Sequence, residues 1–323
     1  MNKQRVITKL ITSTAAVFAL AGFSAAAQNS KTEQCSLAVV SNLQPSPAAV
    51  CDLPTVQRLA KDGHGFEQNQ LGIASILAVG PGTTDKEALA WFRRAAQRGY
   101  APAQVNLAVM YVNGWGTPVN YAEALNWLQS AANQHFARAY YNLGILYLEG
   151  KGVRQSDEEA FRWFQKGAEA GDSSAQTNLG YMYDIGLGCT RNLETALMWY
   201  RKAADAGNPL GENNLADLYL RGQGVTQNDS EAFGWFQKAA IQGQTGARIK
   251  LGYMFAEGRG TPKDLKEAYA WIKAAELAGD PRGNGMLHQL ERTLTPTQIA
   301  EAKERAAKLQ QPEAALSAKS FSQ

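Results

Sequence analysis

Apolar positions in this chain recur on two superimposed periods. Ala139, Leu143, Leu146 and Tyr147 step by four, three and one, the spacing of one helical face. Gly150-Lys151-Gly152 closes that face, because glycine tolerates the positive φ a helix-ending turn needs. A second apolar face then runs through Ala160 and Trp163. The pattern predicts two antiparallel helices. The pair recurs every 36 residues: Trp91, Trp127, Trp163, Trp199, Trp235 and Trp271 share the period, so six of the seven tryptophans occupy one column. Leu71, Leu107, Leu143, Leu179, Leu215 and Leu251 form a second column, with Leu287 continuing it. Ala88, Ala124, Ala160, Ala196, Ala232 and Ala268 stand three before each Trp, and Gly80, Gly116, Gly152, Gly188, Gly224 and Gly260 complete the frame.

Local chemistry sets where each second helix begins and ends. Seven residues before Trp stand Thr84, Asn120, Ser156, Asn192, Asn228 and Asp264, all good N-caps. Three further on come Glu87, Glu123, Glu159, Thr195, Glu231 and Glu267, which predicts a capping box or its Asn/Asp analogue in five units. Gly99, Gly171, Gly207, Gly243 and Gly279 stand where each second helix should stop; His135 breaks that column. One turn after Trp lie Ala95, Ala131, Gly167, Ala203, Ala239 and Ala275. Small residues there admit a neighbouring helix, and Trp is expected to fill the space between successive units.

The ends differ from the repeats. Residues 1–27 read as a secretory signal: Lys3, Arg5 and Lys9, an apolar run from Leu10 to Phe23, then the small residues Ala25-Ala26-Ala27. Residues 28–54 show no clear period and read as an irregular leader, in which Cys35 and Cys51 are expected to form a disulfide in an oxidising compartment. Residues 55–66 form a half-repeat, 67–280 the six repeats, and 281–310 terminal capping helices, the last opened by Thr295-Pro296-Thr297-Gln298. Residues 311–323, rich in Ser, Ala and Gln, read as a frayed tail.

The column pattern resembles the Sel-one-like repeat, a relative of the tetratricopeptide repeat. The carrying residues are Ala139-x3-Leu143-Gly144-x2-Tyr147-x2-Gly150-x-Gly152-Val153, then Ala160-x2-Trp163-Phe164-x3-Ala168-x2-Gly171-Asp172. The resemblance covers roughly residues 55–310. It departs at Ser75, Ala78, His135, Leu128, Ile272 and Glu276. It implies an all-α fold, a right-handed α/α superhelix (solenoid) of six 36-residue helix-turn-helix repeats, and an adaptor role in protein assemblies, often in the bacterial envelope.

Charge and chemistry narrow the function. The chain has 32 Lys+Arg and 29 Asp+Glu; losing the signal removes three cations and no anions and leaves 29 of each sign. A near-neutral chain has little pull on nucleic acid or anionic lipid. No window beyond the signal is apolar enough to span a membrane. His64, His135 and His288 share no metal-ligand spacing, and no nucleotide-binding, metalloprotease or serine-hydrolase motif occurs. No catalytic residue, metal or cofactor is therefore expected. Cysteine-rich relatives of the repeat have been linked to β-lactam binding or hydrolysis. Here only Cys189 lies inside a repeat, in a loop column shared with Val153 and Val225, which leaves binding or hydrolysis of β-lactam or peptidoglycan-related material as the alternative. A secreted effector engaging a host protein is a second alternative.

What remains is surface. The column just before Leu reads Gln70, Asn106, Asn142, Asn178, Asn214, Lys250. In this repeat class first helices line the inner wall, so these side chains are candidates to hydrogen-bond an extended peptide. Tyr141, Tyr181, Asp217 and Tyr253 stand nearby. The same asparagines can instead tie helix to helix or to a loop, and both readings stand. Trp115, the off-period tryptophan in Gly114-Trp115-Gly116, is either an exposed anchor or a lid over the first units. The reading is an exported, periplasmic or secreted, non-catalytic scaffold for a protein or extended-peptide partner.

Overall fold

The computed structural model describes residues 53–76 and 84–310, together with the backbone of 35–37 and 49–51. The signal segment, the loop glycine Gly80, the tail 311–323 and the side chains of Cys35 and Cys51 lie outside the described residues. Fifteen helices follow one another among the described residues. They are α1 (Leu53–Lys61), α2 (Gly65–Ile76), α3 (Asp85–Gln97), α4 (Ala101–Asn113), α5 (Tyr121–Ala132), α6 (Ala137–Glu149), α7 (Asp157–Glu169) and α8 (Ser173–Ile185). Then come α9 (Leu193–Asp205), α10 (Pro209–Arg221), α11 (Asp229–Ile241), α12 (Thr245–Glu257), α13 (Leu265–Leu277), α14 (Asn284–Glu291) and α15 (Pro296–Lys308). The leader is more regular than its sequence suggests. β1 (Cys35–Leu37) and β2 (Ala49–Cys51) pair in parallel, with Cys35 opposite Ala49 and Leu37 opposite Cys51. β1 also lies against α1 and α2, so this extended backbone gains partners that the absence of a period could not reveal.

The chain divides into two compact units, one ending at Trp163 and one beginning at Phe164. Within each, helices pack in chain order as an α-solenoid, α2 on α3 and α3 on α4 in the first, α8 on α9 and α9 on α10 in the second. First helices also touch the next first helix: α2–α4 and α4–α6 in one unit, α8–α10 in the other. That contact places their intervening residues side by side.

The caps form as their residues dictate. Thr84, Asn120, Ser156, Asn192, Asn228 and Asp264 each accept the backbone N–H three residues on, at 2.9–3.2 Å. The return bond of the box closes at Thr84–Glu87 (3.2 Å). In three other units the third-position carboxylate has a different partner: Glu123 accepts the Trp127 indole N–H at 3.1 Å, Glu159 pairs with Arg162, and Glu267 pairs with Arg305 at 3.4 Å. Gly150 ends α6 at φ 68°, and His135 takes the same left-handed conformation at φ 58° where its column otherwise has glycine. Its ring lies 3.2 Å from the Tyr140 hydroxyl, an anchor glycine could not supply.

The core rests less on the Trp column than on its neighbour, which in sequence serves only as part of the repeat signature. Phe92, Leu128, Phe164, Tyr200, Phe236 and Ile272, each the residue after Trp, are all fully buried. Trp199 and Trp271 are buried, but Trp91, Trp127, Trp163 and Trp235 are only half-buried. The first helix makes room for the buried ring: a Cβ on Gly180 would stand 2.8 Å from the Tyr200 ring, and one on Gly72 2.5 Å from Phe92. Several Trp faces carry a cation instead, as with Lys202 over Trp199 at 4.4 Å and Lys238 over Trp235 at 3.7 Å.

Candidate partner-binding faces

Because first helices lie side by side, the asparagine column falls along their shared seam. Depth decides what each member does. In the first unit Asn106 is 2% exposed and donates to Asn69 Oδ1 on α2 at 2.9 Å. Its amide is spent on tying α4 to α2. Gln70 is also buried. Asn142, on α6, is half-buried; its Nδ2 donates to the Arg138 carbonyl one turn back at 2.8 Å. That bond fixes the side chain against its own helix.

Asn142 and Tyr141 line a groove of about 200 Å³ between α4 and α6. Val109, Val112 and Ile145 make its wall apolar, and Glu149 and Lys151, ion-paired at 2.8 Å, stand at its rim. The Arg138 guanidinium lies 5.2 Å from the Tyr141 ring centre. Trp115 is half-buried and packs against the core of this unit.

The second unit carries charge where the first is apolar. Asn178 repeats the arrangement of Asn142, donating to the Ser174 carbonyl at 2.9 Å. Asn214 accepts from Asn213 at 3.0 Å and is hydrogen-bonded to the buried Tyr200 hydroxyl. Lys250 is ion-paired with Asp217, and Arg221 approaches the same carboxylate at 3.8 Å. Asp184 stands 4.0 Å from Arg191. Burial pushes the Asp184 carboxyl up from its ordinary value and Asp217 adds to the push, while Arg191 and Arg221 oppose it. Burial likewise draws the Lys250 ammonium down, against the pull of Asp217. Tyr181 and Tyr253 are half-buried, and burial raises the Tyr181 hydroxyl.

Asp184 escaped the sequence reading. Its column reads Val112, Leu148, Asp184, Leu220, so one aspartate among apolar residues was the available signal. Among the described residues no group of three or more His, Cys, Asp or Glu side chains could hold a metal. Cys189 is half-buried, its sulfur 3.5 Å from the Met182 carbonyl, and burial raises its thiol, which lowers the thiolate fraction.

Paired helices closed by positive-φ glycines, an alanine-lined seam and a fully buried residue after each Trp define an α-solenoid repeat protein of the tetratricopeptide kind. More narrowly, the chain belongs to the Sel1 repeat family, whose model matches residues 68–100, 101–136, 137–172, 173–208, 209–244 and 246–280. The fold is one typically used for protein–protein interaction. Among solved structures the chain is similar to a protective antigen present in uropathogenic Escherichia coli strains, which displays an SLR fold. Identity is 33% over 80% of this chain and 56% of that one, with a TM-score of 0.64. This chain thus spans little more than half the length of that antigen. It is also similar to a Sel1 repeat protein from Oxalobacter formigenes, at 29% identity over 70% of this chain and 100% of that one, TM-score 0.64. No curated protein matches the chain significantly. No helix among the described residues is long and apolar enough to cross a membrane.

Proposed function

We propose that this chain is an exported adaptor that binds a protein partner on the first-helix faces of its repeats and performs no catalysis of its own. The observation that carries the reading is the contrast between frame and face. The capping, glycine and core columns repeat almost unchanged, while the half-buried first-helix positions change from Val109 and Ile145 to Tyr181, Asp217 and Tyr253. A frame held constant under a varying face is what a recognition surface requires. The groove at Tyr141 and Asn142 has the volume for one apolar side chain of an extended peptide, and the Asn142 amide in its lining supplies hydrogen-bonding chemistry suited to a peptide backbone. The basic–apolar N-terminus supports export to the periplasm or beyond, as does the likeness to a protein that acts as a protective antigen.

The test is crosslinking in intact cells followed by affinity purification and mass spectrometry. Wild type is compared with a chain carrying Asn142→Ala, Asn178→Ala and Asn214→Ala. Asn142→Ala and Asn178→Ala each remove one side-chain hydrogen bond and should cost about 1 kcal/mol, whereas Asn214→Ala also takes a partner from the buried Tyr200 hydroxyl and should cost about 1–3 kcal/mol. Partners captured by wild type and lost from the variant, at a comparable melting temperature, are the expected result. Partners retained by the variant would move the contact elsewhere. No partner with either chain would favour a small ligand. Export predicts that the mature protein is recovered outside the cytoplasm with an N-terminus close to Gln28; full-length chain in the cytoplasm would refute it.

A further inference from the structure

One position in each first helix has a task that five repeats perform alike. Its side chain reaches back to a backbone carbonyl in the last turn of the preceding helix. Gln68 donates to the Ala60 carbonyl (2.9 Å), Gln104 to Ala96 (3.2 Å), Tyr140 to Ala132 (3.0 Å), Gln176 to Ala168 (3.2 Å) and Arg248 to Ala240 (3.1 Å). Amide, phenol and guanidinium share one property here: each has a hydrogen to donate. The remaining member is Glu212, 3% exposed, and its register partner is the Ala204 carbonyl. An ionised carboxylate has nothing to donate there. A protonated one does.

The second repeat shows the completed arrangement. Gln134 donates to Gln104 Oε1 at 2.8 Å, and Gln104 passes its own N–H to the Ala96 carbonyl. Thirty residues after Glu212, Gln242 donates to Glu212 Oε2 at the same 2.8 Å. A neutral carboxylic acid is close in shape to the glutamine amide. With its hydrogen on the other oxygen it would extend the chain from Gln242 through Glu212 to Ala204, as Gln134 through Gln104 to Ala96. We propose that Glu212 is held as a neutral, hydrogen-donating carboxylic acid in the folded protein, and that its ionisation with rising pH loosens the seat of α10 on α9.

α8, α9 and α11 pack along α10, and α12 meets its later turn through the Lys250–Asp217 ion pair. From α11 come the Lys238 ammonium, which favours the ionised form, and the Gln242 amide. Lys238 is itself drawn over the Trp235 ring at 3.7 Å. From α9 comes the Ala204 carbonyl, which already accepts the Gly207 N–H at 2.8 Å and has a lone pair left. From α8 come the uncharged Ser173 hydroxyl, 3.4 Å from the Asn208 amide at the start of α10, and the Asp184 carboxyl, whose charge acts on Asp217 and Arg221 toward the other end of α10. Desolvation outweighs Lys238, and the Glu212 carboxyl is pushed up from 4.5 to about 7. The folded value lies above the unfolded one. The stabilisation is therefore fully present below about 4.5 and lost as pH rises through about 7. The inference stands apart from any partner, although α10 also carries Asn214 and Asp217.

The experiment is urea unfolding of the full chain from about pH 5 to about pH 8, for wild type and Glu212→Gln. Glutamine supplies the donor at every pH. Relative to Glu212→Gln, the wild-type folding constant should fall by on the order of 10–100-fold across that window, with the slope of a single proton. Parallel profiles, or a Glu212→Gln chain less stable than wild type at the alkaline end, would overturn the proposal. The Glu212 carboxyl carbon is also followed by NMR in wild type, which decides the matter should the variant not fold. Titration near neutrality supports the proposal; titration in the ordinary carboxylate range refutes it.

Discussion

Replacing Arg248 by alanine is expected to cost about 3–5 kcal/mol and to release the C-terminal helix first. Arg248 is 4% exposed, yet the partners of its guanidinium are neutral acceptors: the Ala240 carbonyl, the Ala274 carbonyl at 3.2 Å, the Leu309 carbonyl at 2.9 Å and Gln310 Oε1 at 3.3 Å. Three of these are backbone oxygens at the C-terminal ends of α11, α13 and α15. Each such end carries partial negative charge, so the cation is held by converging helix dipoles instead of a carboxylate. Burial lowers its pKa, the direction expected when desolvation is met only by dipoles. Alanine would leave the buried Leu309 carbonyl without its donor, take a second donor from the Ala240 and Ala274 carbonyls, which keep Gly243 N–H and the Gln310 amide, and open a cavity that unties the three helix ends. The check is hydrogen exchange read by mass spectrometry beside a urea melt. Amides of Pro296–Lys308 should lose protection while α2 to α6 keep theirs. Unchanged protection in that helix would refute the latch. Arg248→Lys separates charge from geometry: one ammonium cannot serve three helix ends, so most of the loss should remain.

A comparable loss, about 3–5 kcal/mol, is expected for Phe236→Ala, against only about 1–2 kcal/mol for its neighbour Trp235→Ala. Phe236 is 0% exposed within the core that includes Leu215, Leu218, Leu251 and Met254. Its truncation leaves a closed cavity. Trp235 is half-buried, with one face covered by the Lys238 ammonium, so water and the lysine stem can fill much of the space it vacates. Thermal melts of the two single variants decide the order. A larger drop for Trp235→Ala would return the packing role to the tryptophan column.

That comparison marks where periodicity reaches its limit. Both columns are apolar and adjacent, and the 36-residue recurrence is more uniform in the tryptophans than in Phe92, Leu128, Phe164, Tyr200, Phe236 and Ile272. Tryptophan draws attention by rarity, but the helix phase that turns Phe236 inward and leaves Trp235 at the edge depends on how the next helix crosses. The capping glutamates are similar. Glu87 closes its box while Glu123 serves the Trp127 indole, although each has a tryptophan four residues on.

The candidate faces divide the same way. The asparagine column is legible in the sequence, but its members do different work. Asn106 bonds Asn69 across the seam, whereas Asn142 and Asn178 bond one turn back in their own helices. Identical residues at identical positions diverge because the neighbouring helix presents asparagine in one case, and burial differs along the array. Glu212 looks in sequence like a solvated first-turn carboxylate, suited to the positive helix end. Only the five parallel donors, and the Gln242 amide 30 residues on, show that its site is shaped for a hydrogen.

By itself the sequence determined the repeat length, the order of helices, where each begins and ends, and the family. Those properties arise from contacts within a few residues: a cap oxygen on the third N–H, a glycine at positive φ, an apolar face every 3.6 residues. Tertiary structure alone decided which apolar column is sealed, which amides are spent inside the seam, how Arg248 joins three helix ends, and what Glu212 must donate. These depend on groups brought together from 8 to 61 residues apart, and on the desolvation that only their packing creates.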